Sequence, residues 1–140
     1  MTDTTKNANG LSESPVFEDI PQEKLSEIAG AVQEKVVPAR TVIFRQGDPG
    51  DSFYVIKSGK VRAFRKDEDG VETGLSELGP GESFGEMALL TGEPRSANVE
   101  ALEETCISVL SKEQFDLILK DYPRIAVSFV KQMSGWLLKD

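Results

Sequence analysis

The apolar positions of this 140-residue chain change their spacing twice. Between Pro21 and about Lys35, Leu25, Ile28, Ala29 and Val32 recur at steps of three and four, which predicts an amphipathic helix with Pro21 in its first turn. From Val36 to Leu110 that period gives way to short apolar runs, TVIF, SFYVI, KVRAF, GLSEL, SANVEA and CISVL, cut by glycine and proline. The runs predict strands. QGDPGD, KSG, DEDG, GPGE and TGEP predict the turns between them, with Asp69-Gly70 forming a hairpin. This rhythm is that of an antiparallel sandwich or barrel. Past Leu110 the helical period returns: Ser111 and Gln114 form a capping box ahead of Phe115, Ile118 and Leu119. A last helix is predicted from Pro123 to Lys139, with Ala126, Val130, Met133 and Leu137 on one stripe that Ile125, Phe129 and Trp136 widen. Helix, strands and two further helices predict an α+β, mainly β domain over residues 16–140. The stretch 1–15, rich in Thr, Asn, Ser and Gly, is expected to be a flexible tail.

Composition narrows the function. Apolar residues make up 39% and charged residues 29%, the balance of a soluble globular domain. No stretch approaches the roughly 18 apolar residues of a membrane span, and MTDTTKNANG lacks the apolar segment of a secretory signal. The single cysteine, Cys106, cannot form an internal disulfide; it is expected to be a small buried hydrophobe, and a cytoplasmic setting is the default. A net charge of −8 argues against direct nucleic-acid binding, which needs clustered Lys and Arg. The chain has no histidine. That excludes Ser-His-Asp and Cys-His catalysis and His-ligated metal sites, so no catalytic and no metal residues are assigned.

The informative segment runs from Phe84 to Ala101, FGEMALLTGEPRSANVEA. Arg95 is the only Lys or Arg between Asp67 and Ser111, a span with eleven acidic residues. One reading pairs it with a surface glutamate, a contact of about 0–1 kcal/mol. Its neighbours support another. Gly85 allows close backbone approach, and Glu86-Met87-Ala88-Leu89-Leu90 forms a short helix whose first N–H groups attract an anion. Arg95 folded over that end would clamp a phosphate with its planar fork of donors. Glu86 would then repel the ligand unless it accepted a hydrogen bond from a hydroxyl, and a ribose 2′-OH is such a group. A phosphate beside a free 2′-OH is what a 3′,5′-cyclic nucleotide presents.

FGEMAL, five residues, then RSANVEA resembles the phosphate-binding cassette of the cyclic-nucleotide-binding domain family, which includes the catabolite activator protein and the regulatory subunits of cAMP-dependent protein kinase. IFRQGDPGDSFYVIKSG, from Ile43 to Gly59, is similar to a second family pattern, and the resemblance covers roughly residues 16–138. It implies an eight-stranded antiparallel β-roll, or jelly roll, with one amino-terminal and two carboxyl-terminal helices. It also implies that Glu86 binds the ribose 2′-OH and Arg95 the cyclic phosphate. Backbone N–H groups at Gly85, Ala88 and Leu89 add donors, Ser96 touches phosphate or base, and Phe84, Met87 and Ala97 complete the expected ligand-binding set. Gly47 and Gly59 are implied to turn strands. A hydroxyl at 96 can reach guanine, yet serine also stands in cAMP binders; cAMP is expected over cGMP. Met133, Trp136 and Leu137 are candidates to cap the purine, with packing on the roll or on a partner helix equally open for each.

The function implied is a non-catalytic regulatory module whose carboxyl-terminal helix moves on binding a cyclic nucleotide. A degenerate member, assembling without ligand, is the alternative, although such members often lose the cassette arginine or glutamate and this chain has both. A jelly-roll enzyme of the cupin kind would need histidines to hold its metal. The Ala126–Val130–Met133–Leu137 stripe suits a homodimer through the last helix. No membrane partner is expected.

Overall fold

The computed structural model describes residues 20–124. Helix α1 spans Gln22–Ala31, with Pro21 as its cap residue, and it ends where Val32 turns extended at φ −84° and ψ 155°. The helical period was expected to run to about Lys35. Instead Gln33–Val37 form strand β1. The residues QEKVV are mostly exposed and carry no strand-like alternation, but the β-branched pair Val36-Val37 and the antiparallel ladder to the last strand outweigh the helix preference of Gln, Glu and Lys.

The six apolar runs all form strands: β2 (Val42–Phe44), β3 (Ser52–Ser58), β4 (Val61–Lys66), β5 (Glu72–Leu78), β7 (Asn98–Ala101) and β8 (Thr105–Ser111). With β1 and the two-residue β6 (Ser83–Phe84) the described residues hold eight strands. The expected turn at Asp69-Gly70 is present, with Gly70 at φ +83° and the Asp67 carboxylate accepting from the N–H groups of Asp69 and Val71, each at 2.9 Å.

The strands form two four-stranded antiparallel sheets, ordered β1-β8-β3-β6 and β2-β7-β4-β5. The pairs β1–β8, β2–β7, β3–β6 and β4–β5 are rungs of one long hairpin, and rolling it up creates the remaining contacts β3–β8 and β4–β7. The pleat of β3 sorts its side chains. Phe53 and Val55 join Ile28, Leu110, Phe115 and Ile118 in a cluster under the helices. Ile56, on the opposite face, joins Val61, Leu78, Phe84, Val99 and Ile107 in a second cluster shared by the two sheets. Helix α3 (Lys112–Asp121) closes the first cluster. Its capping box is formed: Ser111 Oγ accepts from Gln114 N at 3.1 Å, and Gln114 Oε1 accepts from Ser111 N at 2.9 Å. The expected tail, residues 1–15, and the helix predicted to Lys139, apart from its first two residues, lie outside the described residues.

Candidate functional site

Strand β6 ends at Phe84, and Gly85 turns the chain at φ +89° into α2, Glu86–Thr91. Only glycine fits there. A Cβ on Gly85 would lie 2.9 Å from Arg95 Nη1 and 3.3 Å from the rings of Phe44 and Tyr54, on a backbone that L-residues avoid. Glu86, the first residue of α2, is 1% exposed. Gly92, at φ +76°, ends the helix with its N–H on Ala88 O at 2.9 Å.

The loop after α2 brings Arg95 back to that amino end. Its backbone is held on both sides by the QGDPG segment: Gly47 N–H donates to Arg95 O, and Arg95 N–H donates to Asp48 O, both at 2.8 Å. Gly47 makes this turn at φ +91°. Gly50 matters for a different reason. A Cβ there would overlap Ala88 Cβ and lie 3.3 Å from Arg95 Nε and Cζ, so the bare α-carbon is what lets α2 and the guanidinium pack against the loop.

The Arg95 side chain is 5% exposed. Nη1 donates to Gly85 O at 2.6 Å and Nη2 to Ser52 O at 2.8 Å. Its Cζ lies 4.1 Å from the Phe44 ring centroid and 5.9 Å from that of Tyr54. Nε is buried and has no hydrogen-bond partner among the described residues. Burial pushes the guanidinium below its usual pKa, opposed by Tyr54, Asp51, Asp48 and Glu86. The surface-pairing reading of Arg95 is therefore corrected: Glu72 and Glu100, two of the acidic residues in its stretch, pair with Arg62 at 2.7 and 2.9 Å.

The structure gathers Gly85, Glu86, Ala88 and Arg95 at one point. Met87 is half-buried on α2, while the Leu89 side chain joins the cluster under the helices. Phe84 and Ala97 lie in the shared core, Phe84 stacked on Tyr54 with centroids 5.0 Å apart. Ser96 is exposed, and its carbonyl accepts from Arg65 Nε at 3.1 Å. Met133, Trp136 and Leu137 lie outside the described residues. Gly59 turns β3 into β4 at φ +97°, as implied. Cys106 is half-buried rather than buried, since it lies on the face of β8 opposite the core residue Ile107, with its Sγ 3.9 Å from Glu34 Oε1; burial and nearby Glu34 push its thiol pKa up.

Sequence reasoning missed Phe44, Ser52 and Tyr54, which set the guanidinium's face and one of its edges. The signal for the rings was an aromatic in each of TVIF and SFYVI, but nothing local ties them to residue 95. No group of three or more His, Cys, Asp or Glu among the described residues is placed to hold a metal, and no described helix is long and apolar enough to cross a membrane.

A two-sheet roll with a buried arginine folded onto a one-and-a-half-turn helix defines a mainly β domain with a buried cation at the amino end of a short helix. The model of the cyclic nucleotide-binding domain matches residues 34–122, and the chain belongs to that family. It is 39% identical over 113 residues to the cyclic AMP receptor protein of Thermus thermophilus, covering 81% of this chain and 52% of that protein. It is 36% identical over 129 residues to a cyclic nucleotide-gated potassium channel of Mesorhizobium japonicum, covering 92% of this chain and 34% of the channel. The chain thus spans about half and about a third of these relatives' lengths. The regulatory domain of Toxoplasma gondii protein kinase A, crystallised with cAMP, shares the fold with a TM-score of 0.83 at 22% identity, over 94% of this chain and 50% of that one.

Proposed function

We propose that this chain is a non-catalytic cytoplasmic module that binds a 3′,5′-cyclic nucleotide, cAMP over cGMP, and reports it through its carboxyl-terminal helix. The observation that carries the reading is the Arg95 guanidinium: nearly fully buried, oriented by two carbonyls, and with its Nε–H left for an acceptor beside the amino end of α2. A singly charged cyclic phosphate matches that charge and that planar fork. The buried Glu86 carboxylate is the acceptor for the ribose 2′-OH, and the first N–H groups of α2 supply further donors. Phe84, Met87 and Ala97 serve as the walls, and Ser96 as a contact to phosphate or base. The preference for cAMP draws on the Thermus relative, a cyclic AMP receptor protein by name.

Met133, Trp136 and Leu137 cap the purine when the last helix closes, which favours the closed state by the apolar area buried, about 25 cal/mol per Å². Trp136 is the only tryptophan of the chain, so its emission reads this segment directly. The test is thermal unfolding with cAMP and cGMP alongside a cAMP titration of Trp136 emission. A binder gains roughly 2.7 kcal/mol at a ligand concentration a hundred times Kd. A shift with cAMP and a saturable Trp136 response are expected. Emission that stays flat while the unfolding temperature rises would rule out the moving helix and leave binding intact.

A further inference from the structure

Resting on the cyclic-nucleotide reading, we propose that Phe44, backed by Tyr54, is a positioning residue for phosphate recognition, fixing the plane in which the Arg95 guanidinium presents its donors. Phe44 comes from β2, Tyr54 from β3 and Phe84 from β6, so one aromatic layer draws on both sheets. The Phe44 and Tyr54 centroids are 5.9 Å apart, those of Phe44 and Phe84 6.0 Å, and those of Tyr54 and Phe84 5.0 Å. Each ring is thus held by the other two. The guanidinium carbon lies 4.1 Å from the Phe44 centroid, a cation–π contact in a desolvated setting.

Two kinds of contact fix a guanidinium. The carbonyls of Gly85 and Ser52 take one N–H from each Nη and so hold its edge. An edge alone leaves the plane free to tilt; the ring removes that freedom. The Nε–H and the remaining N–H on each Nη are then presented from over a fixed ring face, where an anion must meet them. Lysine could supply the charge but could not use this surface in the same way. Gly85 completes the arrangement, since a Cβ there would press on Nη1 and on both rings at once.

The experiment is calorimetric titration of cAMP into wild type, Phe44→Leu and Phe44→Tyr, each also in an Arg95→Lys background. Phe44→Leu should lose about tenfold in affinity, and Phe44→Tyr, which keeps the ring face, should stay within about twofold. In the Arg95→Lys background Phe44→Leu should cost less than about twofold, because an ammonium has no plane to set. A general loosening of the fold would cost the same factor in both backgrounds and would overturn the proposal. Phe44→Met is the second variant should Phe44→Leu not fold. If Arg95→Lys binds too weakly to titrate, the Arg95 Nε–H resonance of the ligand-free protein decides. It should sit upfield under the Phe44 ring current in wild type and lose that displacement in Phe44→Leu, and an unchanged resonance overturns the proposal. Wild-type binding with an unaffected Phe44→Leu removes only this inference, whereas no wild-type binding removes the reading beneath it.

Discussion

Replacing Arg95 by alanine separates the site from the fold. The guanidinium is 5% exposed and lies against Phe44, so a ligand anion meets it with little water left to screen the charge. Truncating one partner of such a desolvated pair costs roughly 2–5 kcal/mol, which is about 30-fold to about 4,000-fold in Kd. Stability behaves differently. The variant loses the bonds from Nη1 to Gly85 O and from Nη2 to Ser52 O, each worth about 1.5–3 kcal/mol as charge-assisted contacts. It also no longer buries a guanidinium, and that desolvation is itself a cost of several kcal/mol. The two largely offset. Arg95→Ala should therefore unfold within a few degrees of wild type while its Kd for cAMP, read by calorimetry, rises by at least about 30-fold. Arg95→Lys should recover part of the affinity, since a point charge replaces a fork. An Arg95→Ala protein that binds cAMP within about threefold of wild type would refute the reasoning.

Other substitutions test other parts. Glu86→Gln should weaken cAMP by about 1.5–3 kcal/mol and shrink the preference over 2′-deoxy-cAMP; wild-type protein that binds both equally would leave Glu86 as a helix-end charge only. Gly59→Ala should destabilise the fold by about 2–4 kcal/mol in urea unfolding, because its Cβ would come 2.5 Å from Thr105 Oγ1 and 2.6 Å from Glu104 O at φ +97°; an unchanged midpoint contradicts this. Arg40→Gly should raise stability by about 0.5–1 kcal/mol, since Arg40 holds φ +73°, and a lower melting temperature would show that its side chain outweighs the strain.

The parts of the fold that were legible in the sequence are those where burial is one-sided. TVIF, SFYVI and CISVL alternate or run apolar because each has a face in a core, and glycine marks the turns at 47, 59 and 70. The first three residues of β1, Gln33 to Lys35, read as the end of a helix because an exposed edge strand needs no apolar alternation, and QEK favours helix when nothing else is known. Strand β6 was missed because two residues carry no period. At the site, Arg95 and Glu86 stood out because one cation in an acidic stretch and one carboxylate after a glycine are local facts. Their surroundings are not local. Ser52 acts through its carbonyl, Asp48 holds the Arg95 backbone through its carbonyl, and Phe44 offers a ring face, all from positions more than forty residues away. Backbone acceptors and ring faces have no sequence pattern; only the rolled hairpin brings them to residue 95.

The central claim is that the buried Arg95 and Glu86 together hold a cyclic nucleotide, and its most direct test is calorimetric titration of the wild-type chain with cAMP, cGMP and 5′-AMP. Saturable binding at a single site, tightest for cAMP and weakest for the open, doubly charged 5′-AMP, is the predicted result. A folded protein that shows no heat with cAMP at millimolar concentration, or that binds 5′-AMP as tightly as the cyclic form, would contradict it.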